Sequence, residues 1–245
     1  MAPNDKLKDD PIVEAVLELR FVTPDLQEVL IGKLSDMPLL RVAVKNRLPT
    51  ADIPAIVRQA NAAFFYMPTI EAKNVLGIAT VRIGANVLSL HFVHPYAGWP
   101  EVYPRISAVI DEAFGAVPTL AVNRIGLKYV NVFTKARHHI DSVYDLAVSV
   151  EVAKVRLSDP ITLVFTTEAP DYVCQTRVAS KRFLMGSVPA DTAAAADIDI
   201  ATVEGYASTS ADDVKKWIDY AHSAEKRAFR RLLPDNLYAK LLGAH

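Results

Sequence analysis

Residues 12–22, IVEAVLELRFV, alternate between apolar and polar positions. Val13, Ala15, Leu17, Leu19 and Phe21 fall on one side, and Glu14, Val16, Glu18 and Arg20 on the other, which predicts a strand with one buried face. Pro11 precedes it. Thr23 as N-cap and Pro24 in the first turn then predict a helix, whose Leu26, Val29, Leu30 and Leu34 recur at helical spacing up to Pro38. Residues 39–53 carry no clear period. AAFFYM at 62–67, VLGIATVRI at 75–83 and NVLSLHFVH at 86–94 predict three strands, the last two joined by a tight turn at Gly84, Ala85 and Asn86. A helix over 100–114, with Ile106, Val109, Ile110 and Ala113 in one stripe, closes this half.

The second half repeats the order. VNRIGLKYVNV opens a strand over 122–133, followed by a short helix around 140–148 and strands at about 154–167, 172–180 and 196–204. The last helix has Ser210, Asp212 and Asp213 at its start. Its stripe runs through Val214, Trp217, Ile218, Ala221, Ala228, Phe229, Leu232 and Leu233 to Pro234. Each half reads strand, helix, three strands, helix. The pattern predicts one α+β domain spanning 1–245, made of two pseudo-repeats at about 11–116 and 120–234. Strands with one polar face need cover on one side only, so an antiparallel sheet with helices on one face is expected. This element order is similar to the duplicated saddle of TATA-binding-protein-like folds, and a helix-grip fold around a ligand cavity is the alternative. If the two leading strands pair antiparallel, one register sets Glu14 opposite Lys128 and Glu18 opposite Arg124, with Leu17 against Ile125 and Ala15 against Leu127. Those four charged residues then form a structural seam.

Composition narrows the function classes. The 245 residues are 51% hydrophobic, ample for a core. With 27 basic and 28 acidic residues the net charge is −1, so bulk charge exerts no pull toward nucleic acid or anionic membrane. A single cysteine, Cys174, excludes an intramolecular disulfide or a multi-cysteine zinc site. The opening MAPNDKLKDDP is charged where a signal peptide needs an apolar run, and no window approaches a membrane span, which predicts a cytoplasmic protein with no membrane partner.

Three segments carry a family resemblance: LKDDPIVEAVLELRF at the start, NRIGLKYVNVF at the centre, and DYAHSAEKRAFRRLLP near the end, where Phe229 follows His222 by seven residues. Together they resemble a sporadically distributed bacterial protein family whose members have no assigned function. The resemblance implies a single-family domain and brings no catalytic residues with it.

Chemistry-bearing motifs are sparse. GxxxxGK[ST], GxGxxG, GxSxG, HExxH and calcium loops are all missing from the sequence, which takes away most of the support for nucleotide hydrolysis and the common hydrolase mechanisms. No catalytic residue, metal site or cofactor is assigned. His91 and His94, three apart in a strand, point to opposite faces and cannot share a metal. His138 and His139 read as solvated in a polar KARHH turn. His222 and Glu225 lie three apart on the last helix, beside its apolar stripe, and with Asp199 are the candidate pocket residues. Asp197 and Asp199 share a strand face where solvation is the ordinary reading, and Cys174 reads as a small buried hydrophobe.

Two surface features are candidates for partner binding. Residues 94–105, HPYAGWPEVYPR, concentrate Tyr96, Trp99 and Tyr103 among prolines, either as a binding surface or folded back on the core. Arg227, Arg230 and Arg231, with Lys226, complement the dipole of the last helix and could meet an acidic partner. Arg124, Lys128, Arg177, Lys181 and Arg182 would make a basic groove if they converged, but Glu14, Glu18, Asp197 and Asp199 lie among them, a mixture that fits a protein partner better than nucleic acid. The expected function is therefore a non-enzymatic binding or regulatory protein, with an accessory or neutralising role in a bacterial gene pair as the form suggested by the family's distribution. A ligand binder or enzyme with an internal pocket is the alternative, and a nucleic-acid binder the third.

Overall fold

In the computed structural model, which describes residues 7–77, 79–158, 160–184 and 188–243, the leading alternation becomes strand β1 (Ile12–Val22). Ala15, Leu17, Leu19 and Phe21 are buried there, while Glu14, Glu18 and Arg20 remain half-exposed. The first half continues with helices α1 (Gln27–Ser35) and α2 (Pro38–Arg41), strand β2 (Val44–Arg47), and helices α3 (Ala55–Ala60) and α4 (Ala62–Phe65). Strands β3 (Ile70–Val75), β4 (Ala79–Ile83) and β5 (Val87–Val93) and helix α5 (Trp99–Ala116) complete it. The second half holds β6 (Ala121–Thr134), the single turn α6 (Lys135–His138), a small hairpin of β7 (Glu151–Val152) and β8 (Val155–Arg156), and strands β9 (Thr162–Ala169), β10 (Tyr172–Ser180) and β11 (Thr192–Thr202). Helices α7 (Ala211–Arg231) and α8 (Asp235–Leu241) follow.

Nine strands form one antiparallel sheet in the order β2-β3-β4-β5-β1-β6-β11-β10-β9. One face of the central strands is apolar: Leu17 and Leu19 of β1, Leu88 and Leu90 of β5, Ile125 and Leu127 of β6, and Ile198 and Ile200 of β11 are all buried. The buried stripe of α5, including Ile106, Val109 and Ile110, and that of α7, including Val214, Ile218 and Ala221, share one core with these residues. Each such aliphatic side chain contributes about 1.5–3 kcal/mol on burial. Lys215 of α7 ties the helices together by a 2.6 Å bridge to Asp111 of α5, and Tyr103 donates to the Lys215 carbonyl at 3.3 Å. Ser210 caps α7 by accepting from the Asp213 amide. Among the described residues no helix is long and apolar enough to cross a membrane.

Several expectations are corrected. β1 and β6 are neighbours, but their register is displaced by two residues: Leu17 faces Leu127, Glu18 faces Gly126, and Ala15 faces Tyr129. An even slip returns every side chain to the same face, so hydrophobic alternation does not distinguish the two registers. Thr23 does not cap α1; its hydroxyl accepts from the Asp25 amide in a turn, and the N-cap position is Leu26. AAFFYM is not a strand, because the Asn61 side chain accepts from the Ala63 amide and starts the turn α4. The predicted strand 75–83 is broken where Leu76 (φ 52°) and Gly77 (φ 80°) turn the chain back between β3 and β4. The helix expected at 140–148 is only a 3-10 turn at Val143–Asp145, stopped by β-branched neighbours despite a Ser142/Asp145 capping box. The strand expected at 154–167 is divided into β8 and β9.

Candidate functional site

The loop after β5 runs into α5 with a proline in the first turn, and its aromatics fold inward against α7. The Trp99 ring stacks on His222 with centroids 4.0 Å apart, and its Nε1 donates to Asp219 at 3.0 Å. Tyr96 and Tyr129 hydroxyls meet at 3.1 Å, and the Tyr129 hydroxyl reaches His222 Nδ1 at 3.2 Å. The candidate partner residues Tyr96, Trp99 and Tyr103 are thus half-buried, each packing part of its surface against the core and leaving the rest exposed.

Glu225 lies one helical turn beyond His222 and is buried, with 5% of its surface exposed. Burial pushes its carboxyl up to about 8, and the Asp10 carboxylate adds to the rise. Burial also lowers the His222 imidazole to about 4, helped by the nearby Lys226 ammonium. At neutral pH the Glu225 carboxyl is therefore mostly protonated and the His222 imidazole neutral. With Nδ1 of His222 unprotonated, Tyr129 can donate to it and Tyr96 to the Tyr129 oxygen; with the other tautomer the chain of donors runs the opposite way. Both tyrosines are raised by burial, so neither gives up its proton readily. The arrangement ties α7 to β6 through the Tyr129–His222 contact and to α5 through Trp99.

Asp199 does not join this cluster. On β11, Ile198 and Ile200 point into the core, and Asp197 and Asp199 project from the opposite face. That face carries a lattice of ion pairs. Glu18 binds Arg20 at 2.7 Å and Arg124 at 3.1 Å, and Arg124 also approaches Asp199 at 3.8 Å. Asp197 lies between Lys128 at 3.6 Å and Arg177 at 3.7 Å. Glu14 pairs with His91 at 2.9 Å, not with Lys128, and this hydrogen bond lowers its carboxyl. Glu71 takes Arg82 and Lys73. Burial raises the Asp199 carboxyl, and Arg124 opposes the rise. A Cβ on Gly126, the residue facing Glu18, would stand 2.9 Å from Arg124 Nη1, so the bare backbone there lets the guanidinium lie across the strand.

The remaining candidates separate. Arg230 is engaged locally: it donates to the Leu233 carbonyl, pairs with Asp235 and lies over the Tyr238 ring, whereas Arg227 and Arg231 are exposed. His138 is buried, against the solvated placement expected, because its Nδ1 accepts from the Thr134 amide at 2.8 Å and its ring packs on Phe133; burial lowers it to about 4. His139 is exposed. Cys174 is buried and its thiol is raised by burial, an inert setting. Among the described residues no group of three or more His, Cys, Asp or Glu could hold a metal ion. An open groove of about 380 Å³ lies elsewhere, along β2, lined by Lys45, Asn46, Arg47 and Arg58 among others.

Tyr129 and Gly126 were missed by sequence reasoning. The signal for Tyr129 is a phenol on the apolar face of a strand, whose hydroxyl needs a buried partner. No known family model matches the chain, and no curated protein matches it significantly.

Proposed function

We propose that the chain is a non-enzymatic binding or regulatory protein that engages a protein partner on the polar face of its sheet, in the cytoplasm, as an accessory or neutralising member of a bacterial gene pair. The interleaving of charge on that face carries this reading. Glu14, Glu18, Asp197 and Asp199 alternate with Arg20, Arg124, Lys128 and Arg177, and nearly every one has a partner within 4 Å. A polyanion needs a continuous basic stripe, whereas paired charges of both signs suit a protein surface of matching pattern and discriminate against others. A duplicated saddle is the reading of the fold that supports such a surface: β1 and β6 lie side by side at the centre, with β5, β4 and β3 stepping outward on one side and β11, β10 and β9 on the other.

The test is affinity capture from the native host with wild type, a Lys128→Glu/Arg177→Glu variant, and an Arg231→Glu control on α7. The expected result is one stoichiometric protein retained by wild type and control and lost by the face variant. Capture of nucleic acid with steep salt dependence overturns the choice of partner. Recovery of a co-purifying metabolite with no protein overturns the reading in favour of a ligand binder or enzyme, the alternative that the buried polar cluster of His222, Tyr129 and Glu225 favours.

A further inference from the structure

The two edges of the sheet are built differently. β2 is four residues long, carries Lys45 and Arg47, and is followed by Pro49, features that discourage another strand from pairing. β9 is eight residues long, reads TLVFTTEA, and has no proline or cation; its one charge is Glu168, next to its end. Val164 is 53% exposed on the polar face, in line with Arg177 and Asp197, and Phe165 is 37% exposed on the apolar face, in line with Thr176 and Ile198. Among the described residues no strand pairs with β9 other than β10. The cause is local. In the first half, α1 and α2 pack on β4 and β3, whereas the stretch between β6 and β9 gives the turn α6, a 3-10 turn and the small β7–β8 hairpin, and Phe165 stays 37% exposed.

We propose that β9 is a self-association edge: two copies of the chain pair their β9 strands antiparallel about a two-fold axis and join their sheets into one. The occupant is a second copy because the strand is complementary to itself. A two-fold axis normal to the sheet keeps like faces together, so with the ladder centred on Phe165 each Val164 meets Thr166 and each Phe165 its own equivalent in the other copy. Glu168 never faces its equivalent: it falls opposite Thr162 of the second copy if the ladder centres on Phe165, and opposite Val164 if it centres on Thr166. The two carboxylates sit at opposite ends of the ladder. A strongly charged foreign strand of either sign finds no matching charge along this edge, whereas an identical one satisfies the free backbone donors and acceptors and covers Val164 and Phe165.

Sedimentation velocity of the full chain from about 1 µM to about 1 mM, the range in which weak complexes form, tests this. The mass is expected to rise with concentration from 26.9 kDa toward twice that value. Val164→Lys/Thr166→Lys, at exposed positions, is expected to stay at the monomer mass with an unchanged circular dichroism spectrum, and Val44→Lys on β2 to behave as wild type. Hydrogen exchange on the wild type, which does not depend on a variant folding, is expected to show amides 162–169 gaining protection as concentration rises. A monomer throughout the range, association that survives the double lysine variant, or protection confined to other segments overturns the proposal.

Discussion

Lys128 and Tyr129 are consecutive residues of one strand, and they belong to two opposite ways of handling polar groups. Lys128 stands in the ion lattice, 40% exposed at its side chain, opposite an Asp197 that is 18% exposed, so the charges there keep part of their hydration. Tyr129 is 1% exposed, and its hydroxyl is satisfied only by Tyr96 and His222. Solvated pairs add little to stability because water competes for both partners, while a buried hydroxyl, imidazole or carboxyl that loses its partner bears the whole desolvation penalty. The helix side of the sheet therefore holds the residues the fold depends on, and the other side holds charges the fold hardly needs.

The largest effect that this comparison predicts is at Tyr129. Tyr129→Ala is expected to destabilise by about 3–5 kcal/mol, since it opens a cavity and orphans two partners. Tyr129→Phe keeps the packing and removes one hydroxyl, with an expected loss of about 1–2 kcal/mol. Urea unfolding with an unchanged slope checks both. A Tyr129→Phe variant as stable as wild type breaks the comparison, because the hydroxyl network would then contribute nothing.

The pH dependence is the next largest. Glu225 has a folded value of about 8 against 4.5 for a free carboxyl, so the folded chain binds the proton more tightly, and this group's stabilising contribution is lost as pH rises from 4.5 to about 8. His222 and His138 have the opposite sign. Their folded values of about 4 lie below 6.5, so the unfolded chain takes protons first and stability is lost as pH falls from 6.5 toward 4. Together they place the stability maximum near pH 6.5, with a loss of about 2 kcal/mol on going to pH 8 at about 1.4 kcal/mol per pH unit. Glu225→Gln is expected to flatten the alkaline limb and to steepen the acid limb between pH 4.5 and 6.5, where the wild-type carboxyl opposes the two histidines. Thermal or urea unfolding at half-unit pH steps measures this, and an alkaline limb that survives the substitution assigns it to another group.

The same contrast explains what was legible in the sequence. β1, β6 and β10 follow from period-2 alternation, and α5 and α7 from their stripes, because one-sided burial writes itself into the order of residues. The β1–β6 register was not legible, since a slip of two residues leaves every face unchanged, and the long Arg124 side chain reaches Glu18 in the register that forms. AAFFYM misled because aromatic residues favour strands while a single Asn61 cap favours a turn. The candidate cluster was legible by residue type only. Trp99 and Asp219 stand 120 positions apart, and no local pattern states that two such segments meet, or that Tyr129 of a third lies beneath them.

The smallest effects are expected on the polar face, and they are the most informative about function. Arg124→Ala and Glu18→Gln each remove one member of a pair about 30% exposed at the side chains, so each is expected to change stability by less than about 1 kcal/mol, with a coupling in the double-mutant cycle that shrinks in salt. Gly126→Ala brings a methyl group against the Arg124 guanidinium, but the contact is with the far end of a flexible side chain, so displacement of that arginine is expected in place of strain. Against so small a stability background, any large loss of partner capture in these three variants reads out recognition alone. If instead Arg124→Ala destabilises as much as Tyr129→Phe, the lattice is a structural seam after all, and the charges that mark this face as a binding surface are already committed to holding β1, β6 and β11 together.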